Sequence, residues 1–261
     1  MRLRFLPVLG ATLLALTVTT AGAQDTTAVA AHIEAGDRDY TAMNAAGALA
    51  HYEEALKVDA GNYVALWRAA RSLVDLAEFM TDRKERDELF RKAELYARRA
   101  VEIRPEEAEG HFQLAQALGR TALTLGTRDR VKMAKVIRDH ALEALKIDPK
   151  HPGALHVMGV WNAEIMRLNP AARFMAKNFL GGQIFGSASW RDAIRYMEES
   201  RDAEPWRLVH RLDLARVYRD ADRVAAARIE YQKVLQGAAT DYNDRQYKAE
   251  AAVELKKLPR R

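Results

Sequence analysis

Histidine is the residue type that offers this chain the most chemistry. The seven histidines are His32, His51, His111, His140, His151, His156 and His210. No two of them have the HExxH spacing that places two imidazoles around a zinc ion on one helical face. His151 and His156 are five residues apart, which turns them away from each other on a helix. Cysteine is absent, which excludes thiolate ligands, thiol nucleophiles and disulfides. The sequence therefore predicts no bound metal.

A glycine-rich stretch at residues 181–187 invites comparison with phosphate-binding loops. It lacks the lysine that precedes the hydroxyl residue in such loops, and no strand comes before it. No GxSxG nucleophile motif is present, and adjacent acids such as Glu53 and Glu54 are typical of solvated helix faces. We therefore predict that the protein is not an enzyme and needs no cofactor.

The first 23 residues have the pattern of a signal peptide. Arg2 and Arg4 precede a short apolar run, and small residues at 21–23 provide a cleavage site before Gln24. The apolar run is short for a membrane span. The sequence therefore predicts an exported protein, periplasmic or secreted after cleavage, and an uncleaved N-terminal anchor is the alternative.

The charge balance argues against nucleic acid as a partner. Removing residues 1–23 takes two arginines from the 41 basic residues and leaves 39 against 36 acidic residues. This small excess falls short of the basic footprint of a nucleic-acid-binding protein. It is compatible with an anionic ligand or a membrane surface.

Helix pairs recur along the rest of the chain. In five segments, small and large apolar residues follow each other at i, i+4 and i+7, which places them on one helical face. The five stripes are Ala48, Tyr52, Ala55; Ala93, Ala97, Ala100; Ile137, Ala141, Ala144; Ala193, Met197, Ser200; and Ala227, Tyr231, Val234. Such stripes permit the close helix crossings of tetratricopeptide repeats.

The pattern predicts an all-α, tetratricopeptide-like solenoid of about five helix pairs. We expect a single repeat domain over residues 24–261. Its units are residues 29–62, 63–107, 108–151, 152–207 and 208–241, and a capping helix covers residues 241–258. Insertions at residues 77–89 and 121–132 read as helix extensions. A third, at residues 168–189, contains proline and glycine and is a true excursion.

Several stretches resemble the regulator of microtubule dynamics family of tetratricopeptide-like proteins. They are WRAAR at 67–71, YARRA at 96–100, DP at 148–149, LHVMGVW at 155–161 and FGS at 185–187 followed by SW at 189–190. The resemblance covers roughly residues 60–235 and includes the unusual third insertion. It implies a helical-repeat fold with a binding role, and lipid binding has been linked to this type of domain. A tubulin-directed function is not expected of an exported chain.

The first helix of each pair lines the concave side of such a solenoid. Placing the recurring large residue in register predicts the ligand-binding residues Trp67, Arg71, Phe112, Gln116, Arg120, His156, Arg216 and Arg219. Aromatic rings beside guanidinium groups suit a ligand with an anionic head and an apolar body. The other interpretation is that the rings belong to the core and the arginines pair with acids such as Asp75 and Glu164.

Two functions follow from this groove. One is a scaffold of the cell envelope that binds a protein or peptide partner, and such a groove is open and polar. The alternative is a carrier of lipid or another amphiphile, which requires a deep apolar pocket. The insertion at residues 168–189 then forms a lid, touches a membrane surface, or packs into the solenoid.

Overall fold

A computed structural model describes residues 18–179 and 183–259 of the chain, and side chains for residues 25–126, 128–174 and 184–259. Within these ranges all regular structure is helical. Residues 1–17 of the predicted signal segment lie outside the described part, so the cleavage and export of the chain stay predictions. None of the described helices is both long and apolar enough to span a membrane.

The described helices form five pairs and a final single helix, as the sequence pattern predicts. The pairs are α1 (Val18–Thr41) with α2 (Ala45–Val58), α3 (Tyr63–Glu78) with α4 (Arg83–Ile103), α5 (Ala108–Thr124) with α6 (Thr127–Ile147), α7 (Pro152–Arg167) with α10 (Trp190–Ala203), and α11 (Leu208–Asp220) with α12 (Val224–Gln236). Helices α8 (Pro170–Phe179) and α9 (Gln183–Gly186) occupy the third insertion, and α13 (Asp244–Lys257) ends the array.

The recurring small-residue stripes form the core of the solenoid. All fifteen stripe residues are buried, from Ala48 in α2 to Val234 in α12. Glycine supplies the closest approaches between paired helices. A Cβ atom on Gly36 would lie 2.4 Å from the ring of Tyr52, and one on Gly159 would lie 2.5 Å from Met197. The stripes therefore fix how closely each second helix packs on its partner.

Side-chain caps set where several helices begin. Asn62 accepts a hydrogen bond from the amide of Ala65 at 3.1 Å, and Asp82 accepts one from Glu85 at 3.0 Å. Ser189 accepts from the amide of Asp192 at 3.0 Å, as expected for a helix start at this position. The Ser189 amide, however, donates to Asn162 at 3.3 Å rather than to Asp192. The Ser189-x-x-Asp192 sequence has the spacing of a capping box, in which each residue would cap the backbone amide of the other, and only one of these two bonds is formed.

The insertion at residues 168–189 is held to the solenoid at its C-terminal end. Phe185 is buried and stacks on Trp161 with ring centroids 6.2 Å apart. Phe174, near the other end, is an exposed side chain. Of the three roles considered for this segment, packing against the solenoid describes the Phe185 end.

The start of helix α13 packs back against the second helix pair. The Asn243 side chain donates to the main-chain oxygen of Asp75 at 2.9 Å. The Tyr247 hydroxyl donates to Glu78 at 2.7 Å, and its ring packs edge-on against Phe79 at 5.5 Å. These contacts join the last helix to the second pair across about two thirds of the sequence. These contacts partly cover the inner side of α3.

Candidate functional site

The inner face of the solenoid contains two neighbouring cavities. Both are lined by the first helices of successive pairs, which the repeat geometry turns toward the concave side. The two cavities share lining residues Gln116, Arg120 and His156. They are therefore two neighbouring chambers that share a wall formed by these three side chains.

The first chamber, here called the polar cavity, has a volume of about 370 Å³. It is lined by α3, by the N-terminal halves of α5, α7 and α11, and by the segment leading into α13. Its acidic lining residues are Asp75, Glu78, Glu109, Asp148, Glu204 and Asp241. Its basic lining residues are Arg71, Arg120 and Arg207. Acids therefore outnumber fixed cations two to one on its walls.

The second chamber, here called the apolar cavity, has a volume of about 400 Å³. It lies between the C-terminal halves of α5, α7 and α11 and the start of α6. Its floor is formed by apolar side chains that include Leu123, Val131, Ile137, Val157, Trp161 and Ile165. Its rim carries Arg120, Arg130, Arg167, Arg216 and Arg219. Both volumes fall in the range of about 300–1,000 Å³ that is usual for ligand pockets.

All eight residues predicted to bind a ligand line one of these cavities. Trp67, Arg71 and Phe112 face the polar cavity, while Arg216 and Arg219 face the apolar one. Gln116, Arg120 and His156 stand on the wall between them. Each of the eight is half-buried. The structure thus brings the predicted set together, and binding by this set stays a prediction.

Three of the four predicted arginines already have acidic partners. Arg120 pairs with Glu78 at 2.8 Å, and Arg216 pairs with Glu254 at 2.7 Å. Arg219 also pairs with Glu254, at 2.7 Å. One interpretation of the sequence predicted that the arginines pair with acids, and these three do. Asp75 is not their partner. The arginine rim of the apolar cavity is largely neutralised from within the protein.

Arg71 is the exception among the four. Its guanidinium lies 3.5 Å from the centroid of the Tyr40 ring and 5.2 Å from that of Trp67. Within the described part of the chain it has no ion-pair partner, and its buried Nε atom has no hydrogen-bond acceptor. Stacking holds this cation at the wall of the polar cavity while leaving a donor unused.

The wall between the chambers is a connected polar network. His156 lies 2.9 Å from the carboxylate of Asp213, which also accepts from Arg216 at 2.9 Å. Burial alone would raise the pKa of Asp213, but the His156 hydrogen bond and the Arg216 charge hold that pKa below its usual range. Gln116 contributes a buried Oε1 with no partner among the described residues. The ion-paired wall between the chambers therefore has one unpaired hydrogen-bond acceptor, Gln116 Oε1.

Burial perturbs two of the acids that line the polar cavity. It raises the pKa of Asp75 to about 7, with further repulsion from Asp241. Burial also raises the pKa of Glu204, and the neighbouring charges of Glu109 and Asp241 add to the effect. Both shifts have burial as their main cause, and they favour the protonated form of each acid.

Gly119 keeps the apolar cavity open. It lies in the interior of α5, lines the cavity, and a Cβ atom built on it would have nothing within 4 Å. Glycine inside a helix costs about 1 kcal/mol relative to alanine. No helix crossing requires the glycine here, in contrast to Gly36 and Gly159. Its effect is to leave cavity space that any other side chain would fill.

Residues that matter for the chambers also lie where the sequence pattern did not point. Tyr247, Asn243, Glu204 and Asp241 line the polar cavity, yet they come from the capping region and an interhelix turn. Gly119 was the one residue that the local sequence could have indicated, because a glycine within an otherwise regular helix usually has a role in packing or function. Among the described residues, no three histidine or acidic side chains are grouped to hold a metal ion.

A family model described as "Regulator of microtubule dynamics protein 1-3" matches residues 32–259, a span that includes both chambers and α13. The chain belongs to the regulator of microtubule dynamics family. The resemblance seen in the sequence is thereby confirmed over most of the chain.

Individual members of the regulator of microtubule dynamics family are distant in sequence. Regulator of microtubule dynamics protein 1 of Mus musculus is 27% identical over 141 residues, covering 54% of this chain and 46% of that protein. Regulator of microtubule dynamics protein 3 of Rattus norvegicus is 22% identical over 164 residues, covering 62% of this chain and 34% of that protein. The chain therefore spans less than half the length of these curated relatives.

A solved structure shows the same architecture. A tetratricopeptide-repeat protein from Thermus thermophilus superposes with a TM-score of 0.63 at 20% identity, covering 87% of this chain and 100% of that one. At this identity the similarity shows the fold alone. The predicted all-helical, tetratricopeptide-like solenoid is confirmed, and this fold in general serves protein binding.

Proposed function

We propose that the chain is a non-catalytic scaffold that receives a peptide segment of a protein partner in the two joined chambers. The observation that supports the proposal is that an apolar cavity and a polar cavity lie side by side on the inner face of the solenoid. A peptide presents the same alternation, because its side chains differ in polarity while its main chain supplies donors and acceptors throughout.

The unused polar atoms at the chambers suit a main chain. Gln116 Oε1, on the shared wall, can accept from a peptide N–H, and Arg71 Nε can donate to a peptide carbonyl. Ordered repeats also offer such a segment a preformed surface, which lowers the entropic cost of binding. The signal-like N-terminal segment supports a partner in the cell envelope.

Selection from a displayed library of random twelve-residue peptides tests this proposal. Gly119→Leu is the blocking variant, because Gly119 lines the apolar cavity and a Cβ atom at this position has open space around it. Gly126→Leu is the matched control, since Gly126 has open space at its Cβ and lies outside both cavity linings. We expect enriched peptides to bind the wild type and Gly126→Leu but to lose most affinity for Gly119→Leu. Equal binding to both variants, or no enrichment at all, would contradict the proposal.

The alternative function is amphiphile binding, which the apolar cavity favours by itself. Its floor is apolar and its rim carries guanidinium groups, the combination expected for an acyl chain with an anionic head. Against this, three of the four predicted arginines are already ion-paired.

Native mass spectrometry with organic extraction separates the two functions. A stoichiometric lipid on the purified wild type that is absent from Gly119→Leu would establish the carrier function. A chain that is purified empty, together with peptides sensitive to Gly119→Leu, would establish the scaffold.

A further inference from the structure

The polar cavity presents an imbalance of charge that its own residues do not cancel. Arg120 is paired with Glu78, and Arg207 is paired with Asp241 at 2.6 Å. Of the remaining acids, Asp148 has no ion-pair partner within the described residues. Glu204 lies 3.9 Å from Arg207, which is already paired. Glu109 is paired with His151 at 3.1 Å, and burial raises the pKa of Asp75 to about 7, which reduces its charge near neutral pH. Asp148 and Glu204 then stand against the unpaired cation of Arg71, so the cavity retains a small excess of negative charge that a further cation would neutralise.

The unpaired polar atoms of this cavity are mostly acceptors. Gln113 is almost fully buried, and its amide nitrogen donates to Glu109 at 2.8 Å. Because a carboxylate can only accept, this contact fixes the amide orientation and leaves Gln113 Oε1 without a donor. Gln116 Oε1 is in the same condition, and so is Nδ1 of the buried His210. Arg71 Nε is the one unpaired donor found beside these three atoms in the described lining.

These two features point to the same chemical group. A lysine ammonium carries three donors and an arginine guanidinium carries five, each with a positive charge and no acceptor. Either one meets unpaired acceptors and uncancelled carboxylates together. An acidic side chain would meet like charge and leave the same acceptors unpaired, which costs binding energy.

We propose that the polar cavity binds the basic side chain of a peptide whose neighbouring large apolar side chain fills the apolar cavity. The inference rests on the proposed scaffold function and specifies its partner. Since the chambers share a wall of three residues, the two anchor side chains lie close together along the peptide. Between them, the peptide main chain passes Gln116 and donates to its Oε1.

Charge-neutralising variants test the inference. Asp148→Asn and Glu204→Gln keep the shape of each side chain and remove its charge. Asp148→Asn retains the acceptor for the amide of Lys150, which lies 3.0 Å from Asp148. The matched control is Glu199→Gln, because Glu199 lies outside both cavity linings and pairs with Arg195 on the surface.

The ligand in these measurements is the strongest Gly119→Leu-sensitive peptide from the displayed library, paired with a version in which its basic residue is norleucine. We expect the norleucine peptide to bind at least tenfold more weakly than the parent. Asp148→Asn and Glu204→Gln should each weaken the parent peptide about fivefold and leave the norleucine peptide unchanged. Glu199→Gln should change neither affinity.

The outcomes distinguish failure of this inference from failure of the proposed scaffold function. Enriched, Gly119→Leu-sensitive peptides that lack basic residues, or that ignore both neutralising variants, would overturn this inference and leave the scaffold function standing. Failure to enrich any Gly119→Leu-sensitive peptide would overturn the scaffold function itself. Enrichment of acidic peptides would show that Arg71, rather than the surrounding carboxylates, determines the specificity.

Discussion

The hydroxyl of Tyr247 donates a 2.7 Å hydrogen bond to Glu78, a residue 169 positions earlier in the chain. Glu78 in turn pairs with Arg120 of the predicted binding set. A residue of the second helix pair and a residue of the last helix thus meet at the wall of the polar cavity. This contact adds the last helix to the lining of that cavity.

Removing the Tyr247 hydroxyl should make the folded protein less stable. Burial and the charge of Glu78 raise the pKa of Tyr247 well above its ordinary value, so the phenol stays a donor. We expect Tyr247→Phe to lower the free energy of unfolding by about 2 kcal/mol, the range for a hydrogen bond to a charged acceptor. Urea denaturation measures the change. Tyr242→Phe, at an exposed position of the preceding segment, is the control and should be neutral.

Glycine substitutions should have opposite signs at two positions. Gly119→Ala should raise the free energy of unfolding by about 1 kcal/mol, because α5 gains helix propensity and the new methyl group meets open space. Gly159→Ala should lower it by about 1–2 kcal/mol, since the methyl group would lie 2.5 Å from Met197 at a helix crossing. Thermal or urea unfolding of both variants checks the pair. A destabilised Gly119→Ala would show that the cavity is closed in solution.

Asp75 should make the protein less stable as the pH rises. Burial raises its pKa to about 7 in the folded chain, against an ordinary value near 4, and it faces Asp241, Arg207, Arg71 and Tyr40. Between about pH 4 and 7 the folded state therefore holds the proton that the unfolded state releases. Stability from this group is complete below pH 4 and is lost as the pH approaches 7, with a slope of at most about 1.4 kcal/mol per pH unit.

Asp75→Asn isolates this contribution. The variant should gain stability relative to the wild type as the pH rises from 4 to 7, and the difference should level off above pH 7. Urea unfolding at a series of pH values measures it. A difference that does not depend on pH would contradict the raised pKa of Asp75.

His140, which contacts His111, should act in the opposite direction. Their Nδ1 atoms are 3.0 Å apart, and His111 Nε2 lies 2.9 Å from the main-chain oxygen of Pro105. Burial and the neighbouring His111 lower the pKa of His140. Its contribution to stability is therefore present above about pH 6.5 and lost as the pH falls through the lowered pKa.

His140→Asn keeps a hydrogen-bonding atom near the Nδ1 position and removes the titration. We expect its stability to fall less steeply than that of the wild type between pH 7 and 5. Acid-induced unfolding followed by circular dichroism distinguishes the two profiles. Identical profiles would mean that the acid sensitivity arises elsewhere.

Local patterns were enough to predict the fold. The stripe of Ala93, Ala97 and Ala100 indicates a close helix crossing without knowledge of its partner, because small residues at helical spacing have few other uses. The same register placed Trp67 and Arg71 toward the inner face. The ends of the helices were predicted less accurately. Helix α13 begins at Asp244, whereas the sequence pattern placed its start at residue 241.

The chambers themselves were not predictable, because they depend on contacts between distant residues. Nothing near Tyr247 in the sequence specifies that Glu78 is its acceptor. Likewise, Arg216 reads as a free cation until Glu254 of α13 is placed beside it. The predicted anionic ligand followed from counting arginines without their partners. The excess of acids in the polar cavity becomes visible only when the fold places Glu204 and Asp241 beside Glu109 and Asp148.

Photo-crosslinking detects whether a peptide occupies the two chambers. The selected peptide carries p-benzoylphenylalanine at its large apolar position, and crosslinked residues are mapped by mass spectrometry. We expect crosslinks around Gly119 in α5 and Val160 in α7, both of which line the apolar cavity. These crosslinks should disappear in Gly119→Leu and persist in Gly126→Leu. Crosslinks on the second helices α4 and α12, which line neither cavity, would contradict this proposal if they were unaffected by Gly119→Leu.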